Sequence, residues 1–443
     1  CIAFFAFAVG CAPAQKPLTD YVNPMLGTAT LWDSVDLGFK PTKRTWGAEV
    51  FPGSSLPNAM VQVSPVTKFH SGAGYQYEDS VIYGFTHTNK GHWNLCHIPL
   101  LPVTGTPTPG DYCSPFSHER ESAAPGYYQV FLDRYGVDAQ LSSTLRCAFH
   151  KYTYPAGAAA SLLADLQRSN EHVRAWDIRK EGDNVFAGWQ QTGEKMYFYA
   201  VANRPVTGIE PVVEGDREVR IVRFGEGDGA LELRIGFSFV SEKNARENLE
   251  AEMLGKSFAE VRSEATATWN DLLGRIRVEG GTEREKGLFY SSLYRSFLWP
   301  ALRSDVNGEF TDVDGKVINP GFRYYTGPSY WDDYRNKLIL LGMLAPDVAA
   351  DVISSDTDKG EKRGGFMPTF FHGDHASAFV AGTYLRGNRG FDVNRAYNLV
   401  LRNATVQGPS RPWLDEYVAK GYISEMDVEN PVTWTVCKAA VTK

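Results

Sequence analysis

The sequence predicts two kinds of structure in series, an antiparallel β-sandwich followed by a mainly helical region. Three observations carry this expectation. The chain of 443 residues exceeds the roughly 100–200 residues of an ordinary domain. From Tyr21 to about Phe239, short β-branched and aromatic runs are separated by Gly/Pro turn signals about every ten residues, as in a sandwich rather than βαβ units. At Ser241 the texture changes: residues 241–273 are rich in Glu, Ala, Arg and Leu, hold Gly255 and no Pro, and repeat apolar positions at helical spacing.

Taken in order, residues 2–10 form an apolar run, Ile-Ala-Phe-Phe-Ala-Phe-Ala-Val-Gly, far shorter than the ~20 residues needed to cross a bilayer. Residues 1–10 therefore read as the remnant of a signal peptide. Ala8 and Gly10 ahead of Cys11 supply the small residues of a lipoprotein processing site, which makes Cys11 the candidate lipid anchor. A plain secretory signal with an incidental cysteine is the alternative. Either way the protein is expected to be exported, to the periplasm or the outer-membrane surface, and to meet membrane only through that anchor. No Met or basic segment precedes the run, so the start reads as cut short. Residues 11–20 are a polar tether.

The sandwich is expected over 21–240, with strands at 60–63, 127–132, 151–154 and 231–235. Glu214-Gly215-Asp216 and the glycine-rich stretch 225–229 are expected hairpin tips. Linker helices fill 241–280, closed by a short strand at 275–278. Helices then follow in 281–443 at about 283–299, 330–345, 347–357, 374–386, 393–402 and 412–420. In the second, Tyr330, Tyr334, Leu338 and Leu341 share one face and Asp332, Arg335 and Asn336 the other. The final residues, 436–441, stop inside an apolar run with no capping signal, so this end also reads as cut short.

Composition excludes several classes. The net charge of -7, from 45 basic and 52 acidic residues, is spread along the chain without a basic stripe, so nucleic acid is not an expected partner. There is no GxSxG elbow, phosphate-binding GxxxxGK[ST] loop or CxxC pair. Cys96, Cys113, Cys147 and Cys437 remain beside the candidate anchor, and export permits a disulfide among the first three. The chain holds 22 Tyr and 10 Trp, ring surface that suits either stacking on sugar C–H faces or a β-rich core.

Two patches concentrate chemistry. The first runs through His70, Gly72, Gly74 and Tyr75, then His87, His92 and Trp93, with glycines that let backbone approach a ligand. Together with His97 and Cys96, these histidines raise zinc as an alternative, but their spacing matches no common ligand pattern; sugar hydrogen bonds and structural roles stay open. The second patch joins Trp331-Asp332-Asp333-Tyr334-Arg335 to Phe370-Phe371-His372-Gly373-Asp374-His375. Trp331 could stack on a ring and Asp332 accept from vicinal hydroxyls, with Arg335 one turn away to orient it; a capping acid with a surface ion pair is the alternative. His372 and His375 lack the HExxH spacing. Asp312-Val313-Asp314, near Asp305 and Asn307, reads as a solvated turn or a calcium loop without EF-hand spacing.

In this order, several segments resemble glycoside hydrolase family 92: Tyr21-Val22-Asn23-Pro24-Met25-Leu26-Gly27-Thr28, Phe51-Pro52-Gly53-Ser54-Ser55-Leu56-Pro57, Gly74-Tyr75-Gln76-Tyr77, Ile82-Tyr83-Gly84-Phe85-Thr86-His87-Thr88, Phe289-Tyr290-Ser291-Ser292-Leu293-Tyr294, Trp331-Asp332-Asp333-Tyr334-Arg335 and Arg389-Gly390-Phe391-Asp392. Each is weak alone; their collinearity is specific. The resemblance implies an N-terminal β-sandwich, linker helices and an incomplete (α/α)6 helical toroid, with the site at the domain interface. It implies an exo-acting, inverting, calcium-dependent α-mannosidase acting on N-glycans or mannan. The catalytic carboxylates and the main calcium ligands are then expected beyond residue 443, so no catalytic residue is named and these residues alone are expected to be inactive. Trp331 and Asp332 carry over to the mannose subsite, with Arg335, His70, Gly72, Gly74, His87, His372, Asp374 and His375 around it. Asn89-Lys90-Gly91-His92-Trp93 is less glycine-rich than the family pattern, which leaves linkage preference open. The alternative from another class is a surface lipoprotein that binds glycans without cleaving them.

Overall fold

The structure is a computed structural model that describes residues 16–30, 48–89, 95–369, 373–409 and 411–424. The apolar run at 2–10, Cys11, His92, Trp93, Phe370, Phe371, His372, Cys437 and the end at 436–441 lie outside the described residues.

Two antiparallel sheets make up the first half. One orders its strands as Ser54–Ser55, Gln62–Val66, Gly84–Thr86, Leu100–Val103, Ser161–Ala164, Arg217–Phe224 and Val206–Glu214. The other runs Ala175–Gly182, Val185–Gln191, Lys195–Ala202, Leu231–Ser238, Cys147–Thr153, Val137–Ser143, Tyr127–Leu132 and Glu121–Ala124. Strand side chains alternate between faces. In Lys195–Ala202 this sends Met196, Phe198, Ala200 and Ala202 into the core. Val63, Phe85, Leu101 and Ile221 of the first sheet join the same apolar cluster as Val130, Leu141, Phe186 and Leu233 of the second. The sandwich and the helical region that follows it are as the sequence predicts.

Several details differ. Glu214-Gly215-Asp216 does close a hairpin between paired strands. The 225–229 stretch instead crosses from one sheet to the other, since the strands on either side of it belong to different sheets. No strand forms at 275–278. There the Tyr290 hydroxyl donates to the Ile276 carbonyl and accepts from the Val278 amide, both at 3.1 Å, and supplies the partners that a neighbouring strand would have provided. The expected 330–345 helix is two pieces, Tyr330–Asp333 and Lys337–Leu344. Between them Asn336 leaves helical geometry (φ −138°) and its side chain accepts from the Lys337 amide, the local competition that makes Asn a cap. No disulfide joins Cys96, Cys113 and Cys147; Cys147 is buried in an apolar cluster beneath the first linker helix.

The linker helices are Glu242–Glu252 and Phe258–Leu273. Ser257 and Glu260 form a capping box at the second, and Thr282 and Glu285 repeat it at Glu283–Ser296, each satisfying amides that a helix start leaves free. The first lies on the outer face of the eight-stranded sheet at Gly236, where a Cβ would stand 2.1 Å from the Ala245 carbonyl oxygen; only glycine permits this approach.

The two halves meet along residues 297–305. Asn58 donates from its amide to the Phe297 carbonyl (2.6 Å) and from its side chain to Pro300 O (2.8 Å), and accepts from the Leu302 amide (3.0 Å). Gln62 Nε2 donates to Leu298 O at 2.9 Å and Arg146 Nε to Ser304 O at 2.8 Å. The Asp305 carboxylate accepts from Ser238, Asn244 and Asn248. Beside this strip, fully buried Trp269 donates to Ser55 O at 2.7 Å and packs 4.4 Å from Tyr294.

Replacing Trp269 with Ala empties a large site and orphans Ser55 O, so unfolding in denaturant should show a loss of about 3–5 kcal/mol. Trp269→Phe, which keeps most of the packing and loses the hydrogen bond, should cost about 1–3 kcal/mol.

Candidate functional site

The chain Gly327–Asp333 reaches the seam through Trp299, whose Nε1 lies 3.2 Å from Gly327 O, and through paired bonds between Ala301 and Thr326 at 2.9 and 3.0 Å. Tyr330 then plugs the helical core: it is 2% exposed and its hydroxyl donates to Asp356. Successive helical residues point about 100° apart. With Tyr330 held inward, Trp331 is 41% exposed and Asp332 is exposed as well. Neither is buried in the helical core. Arg335 is exposed and its Nε bonds the Tyr334 hydroxyl at 3.1 Å.

The Tyr334 ring stacks on His375 at 3.9 Å and an angle of 7°, so the second patch does converge in space. Its lower layer is structural. Asp374 is buried, and its carboxylate accepts from Ser377 Oγ (2.6 Å) and Asn403 Nδ2 (3.1 Å) and faces Arg411 at 3.5 Å. Such a saturated carboxylate braces the start of the helix His375–Leu385 and has little capacity left for a hydroxyl.

On the sandwich side, Gln62 links both halves. Its Oε1 accepts from the Asn89 amide (3.1 Å), its backbone carbonyl accepts from Asn89 Nδ2 (2.7 Å), and its Nε2 reaches Leu298 O (2.9 Å). The arm that carries His87 and Asn89 is therefore fixed against the same strip that fixes Gly327–Asp333.

His87 itself departs from the expected rim. It is fully buried, with Nε2 3.0 Å from His150 Nε2; His150 Nδ1 lies 2.6 Å from Tyr152 Oη. Burial pushes the His87 ring down to about 3, only partly offset by the backbone of His97 and Ile98 beside it. His97, buried between Thr88 and Thr192 at 2.9 Å each, is pushed down to about 3 by burial and then by Arg303. Burial and the neighbouring His87 hold His150 well below the usual range.

His70, Gly72 and Gly74 form a turn in which Gly74 (φ +77°) closes onto Ser71 and Thr67. At Gly72 a Cβ would lie 2.5 Å from the Glu49 carboxyl carbon. His70 is exposed in a left-handed conformation (φ 59°), its amide donating to Asn170 Oδ1 at 2.7 Å. The predicted residues thus fall into two groups, Trp331 to His375 on the helical side and His70 to Gly74 on the sandwich, with His87 in the core. Sequence reasoning missed the Asn58–Gln62–Asn89 latch and the loop at 167–176, where the run Arg168-Ser169-Asn170-Glu171-His172-Val173-Arg174-Ala175-Trp176 was a visible polar and aromatic signal.

Metal ligation finds no support among the described residues, where no group of three or more His, Cys, Asp or Glu side chains converges. Asp312 is a turn brace: Oδ1 accepts the amides of Asp314 and Lys316, and Oδ2 pairs with Lys362 at 3.0 Å. Asp305 is saturated at the seam.

Comparison with known proteins matches residues 21–247 to the glycosyl hydrolase family 92 N-terminal domain and 244–440 to the glycosyl hydrolase family 92 catalytic domain. A family GH92 α-mannosidase of Bacteroides thetaiotaomicron is similar at 26% identity and a TM-score of 0.83, over 92% of this chain and 59% of that one. In complex with mannoimidazole, the same enzyme aligns at 25% identity and a TM-score of 0.86, over 96% of this chain and 60% of that one. An uncharacterized secreted glycosidase of Arthroderma benhamiae is 24% identical over 92% of this chain and 56% of its own length. The chain thus spans 56–60% of these relatives.

The buried imidazoles set a pH dependence. Unfolded histidine takes up its proton near 6.5, while His87 and His97 in the fold do so near 3. Between these values the unfolded chain binds more protons, so stability is full above about 6.5 and lost as pH falls toward 3. Denaturation between pH 7 and 4.5 should show this loss, and His97→Gln should reduce its slope by about 1.4 kcal/mol per pH unit.

Proposed function

Because the chain belongs to glycosyl hydrolase family 92, we propose that the protein carrying these residues is an exported, exo-acting α-mannosidase. It removes terminal mannose from N-glycans or mannan, with inversion of configuration. The observation that carries this reading is the collinear match to both the N-terminal and the catalytic domain of the family. The mannoimidazole complex of the bacterial relative supports a mannose-type substrate, and the secreted fungal relative supports export. Cys11 as a lipid anchor belongs to the proposal on sequence grounds alone.

Geometry on the helical side suits the role. Trp331 offers an exposed ring for the apolar face of a pyranose, and Asp332 an exposed carboxylate that can accept from two neighbouring hydroxyls. The buried Tyr330 hydroxyl bond holds both in place, so less ordering is needed on binding. Arg335, His70, Gly72, Gly74 and His375 belong to the proposed surroundings, with Asp374 supporting them from below. An inverting enzyme needs an acid and a base roughly 6.5–9.5 Å apart, and none of the described carboxylates is assigned either role. Calcium dependence rests on family membership; the described residues do not assemble a site for it, and no step is derived through it.

Assaying the protein at the full length of its relatives on an aryl α-mannoside tests this reading. Turnover should be abolished by chelation and restored by calcium. Trp331→Ala and Asp332→Asn should each lower kcat/KM about 10–100-fold, the equivalent of about 1–3 kcal/mol. Glycan binding with no turnover would favour the non-catalytic glycan-binding reading instead.

A further inference from the structure

The loop at 167–176 crosses the sandwich beside the His70 turn and encloses a cleft of about 760 Å³. We propose that this cleft binds a short neutral oligosaccharide, on the order of two or three pyranose rings for a volume of this size. The sugar is an α-linked mannose chain, an identification that rests on the function proposed above.

The walls are built by the sandwich alone, His70, Arg168, Glu171, His172, Arg174 and Trp176 among them. The loop has no helix or strand over 167–174, yet it is tied down at Arg168, Asn170 and Arg174. Asn170 donates its amide to Leu95 O at 3.0 Å and accepts the His70 amide with its side chain. Gln190 Nε2 donates to Leu166 O and Arg168 O at 2.9 Å each, and the Arg174 amide donates to Gln191 O at 2.8 Å. Left-handed geometry at a histidine is unfavourable and persists only where surroundings enforce it; at His70 the Asn170 side chain contributes to that.

The chemistry on this rigid frame suits a polyol. Trp176 is a half-buried ring in the cleft wall, held between the sandwich core and the Arg220 guanidinium 5.3 Å from its centroid, a fixed apolar group for contact with sugar C–H. His172 and Arg174 are exposed, and among the described residues their side chains make no hydrogen bond or ion pair. They are free donors at the cleft wall. Charge argues against a phosphate or sulfate: Arg217 pairs with buried Asp165 at 2.8 Å, and the carboxylates of Glu171 and Asp216 share the lining with Arg168 and Arg174. The Glu171 carboxylate accepts from Thr192 Oγ1 at 2.5 Å and the Gly193 amide at 3.2 Å, which fixes it as an oriented acceptor in the wall.

Calorimetric titration of the 443-residue chain with reduced α-mannotriose tests this without requiring catalysis. The background is Trp331→Ala/Asp332→Asn, which removes the helical-side candidates. In that background the trisaccharide should still bind at one site per chain, and adding His172→Ala/Arg174→Ala should weaken that remaining binding at least tenfold. Both added sites are exposed, so an unchanged circular dichroism spectrum is expected. Binding lost in the background, binding indifferent to His172→Ala/Arg174→Ala, or no binding at all would each overturn the cleft assignment. None of these outcomes touches the hydrolysis assay, which tests the family function separately.

Discussion

A buried hydrogen-bonding group without a partner costs about as much as a core cavity, and that constraint fixes how the two halves of this chain meet. Residues 297–305 cross the seam as backbone with carbonyls and amides that need partners, and the sandwich supplies Asn58, Gln62 and Arg146. Asp305 returns the relation, its carboxylate buried among Ser238, Asn244 and Asn248. Sliding the halves by one residue would break several of these bonds at once. Apolar contact alone would tolerate such a slip; a strip held by directional hydrogen bonds does not.

The position of the candidate site follows from that register. Trp299 and Ala301 continue the strip toward Gly327, and three residues later Tyr330 enters the helical core and turns Trp331 and Asp332 outward. On the opposite side the same Gln62 that grips Leu298 also grips Asn89. Each side of the site is thus positioned by bonds to one strip rather than by its own loop. The buried histidines behind it, His87, His97 and His150, are neutral framework groups, and the pocket chemistry is left to exposed residues.

Much of this was legible from sequence, for a physical reason. Short β-branched and aromatic runs between turn residues identified strands such as Tyr127–Leu132, and apolar positions repeating at helical spacing identified the linker helices, because both signals are local. What failed depended on distant partners. The alternating pattern at 275–278 lacked a neighbouring strand and met the Tyr290 hydroxyl. Glycines at 225–229 announced a turn but could not say that the chain changes sheet there. The apolar period across 330–345 hid the break at Asn336, whose side chain competes for a backbone amide. His87 stood in a glycine-rich, histidine-rich segment that looked exposed, and only its partner His150, far along the chain, places it in the core. Trp331 and Asp332 were visible as a dipeptide, but their exposure depends on how Tyr330 is held.

Native-state hydrogen exchange reads the seam most directly. The amides of Asn58 and Leu302, bonded across the seam to Phe297 O and Asn58 O, should exchange only as fast as central-strand amides such as Ile235, because the halves open together. Exchange at these two positions orders of magnitude faster than at Ile235 would show that the halves part independently, and the account of how the site is held would fail.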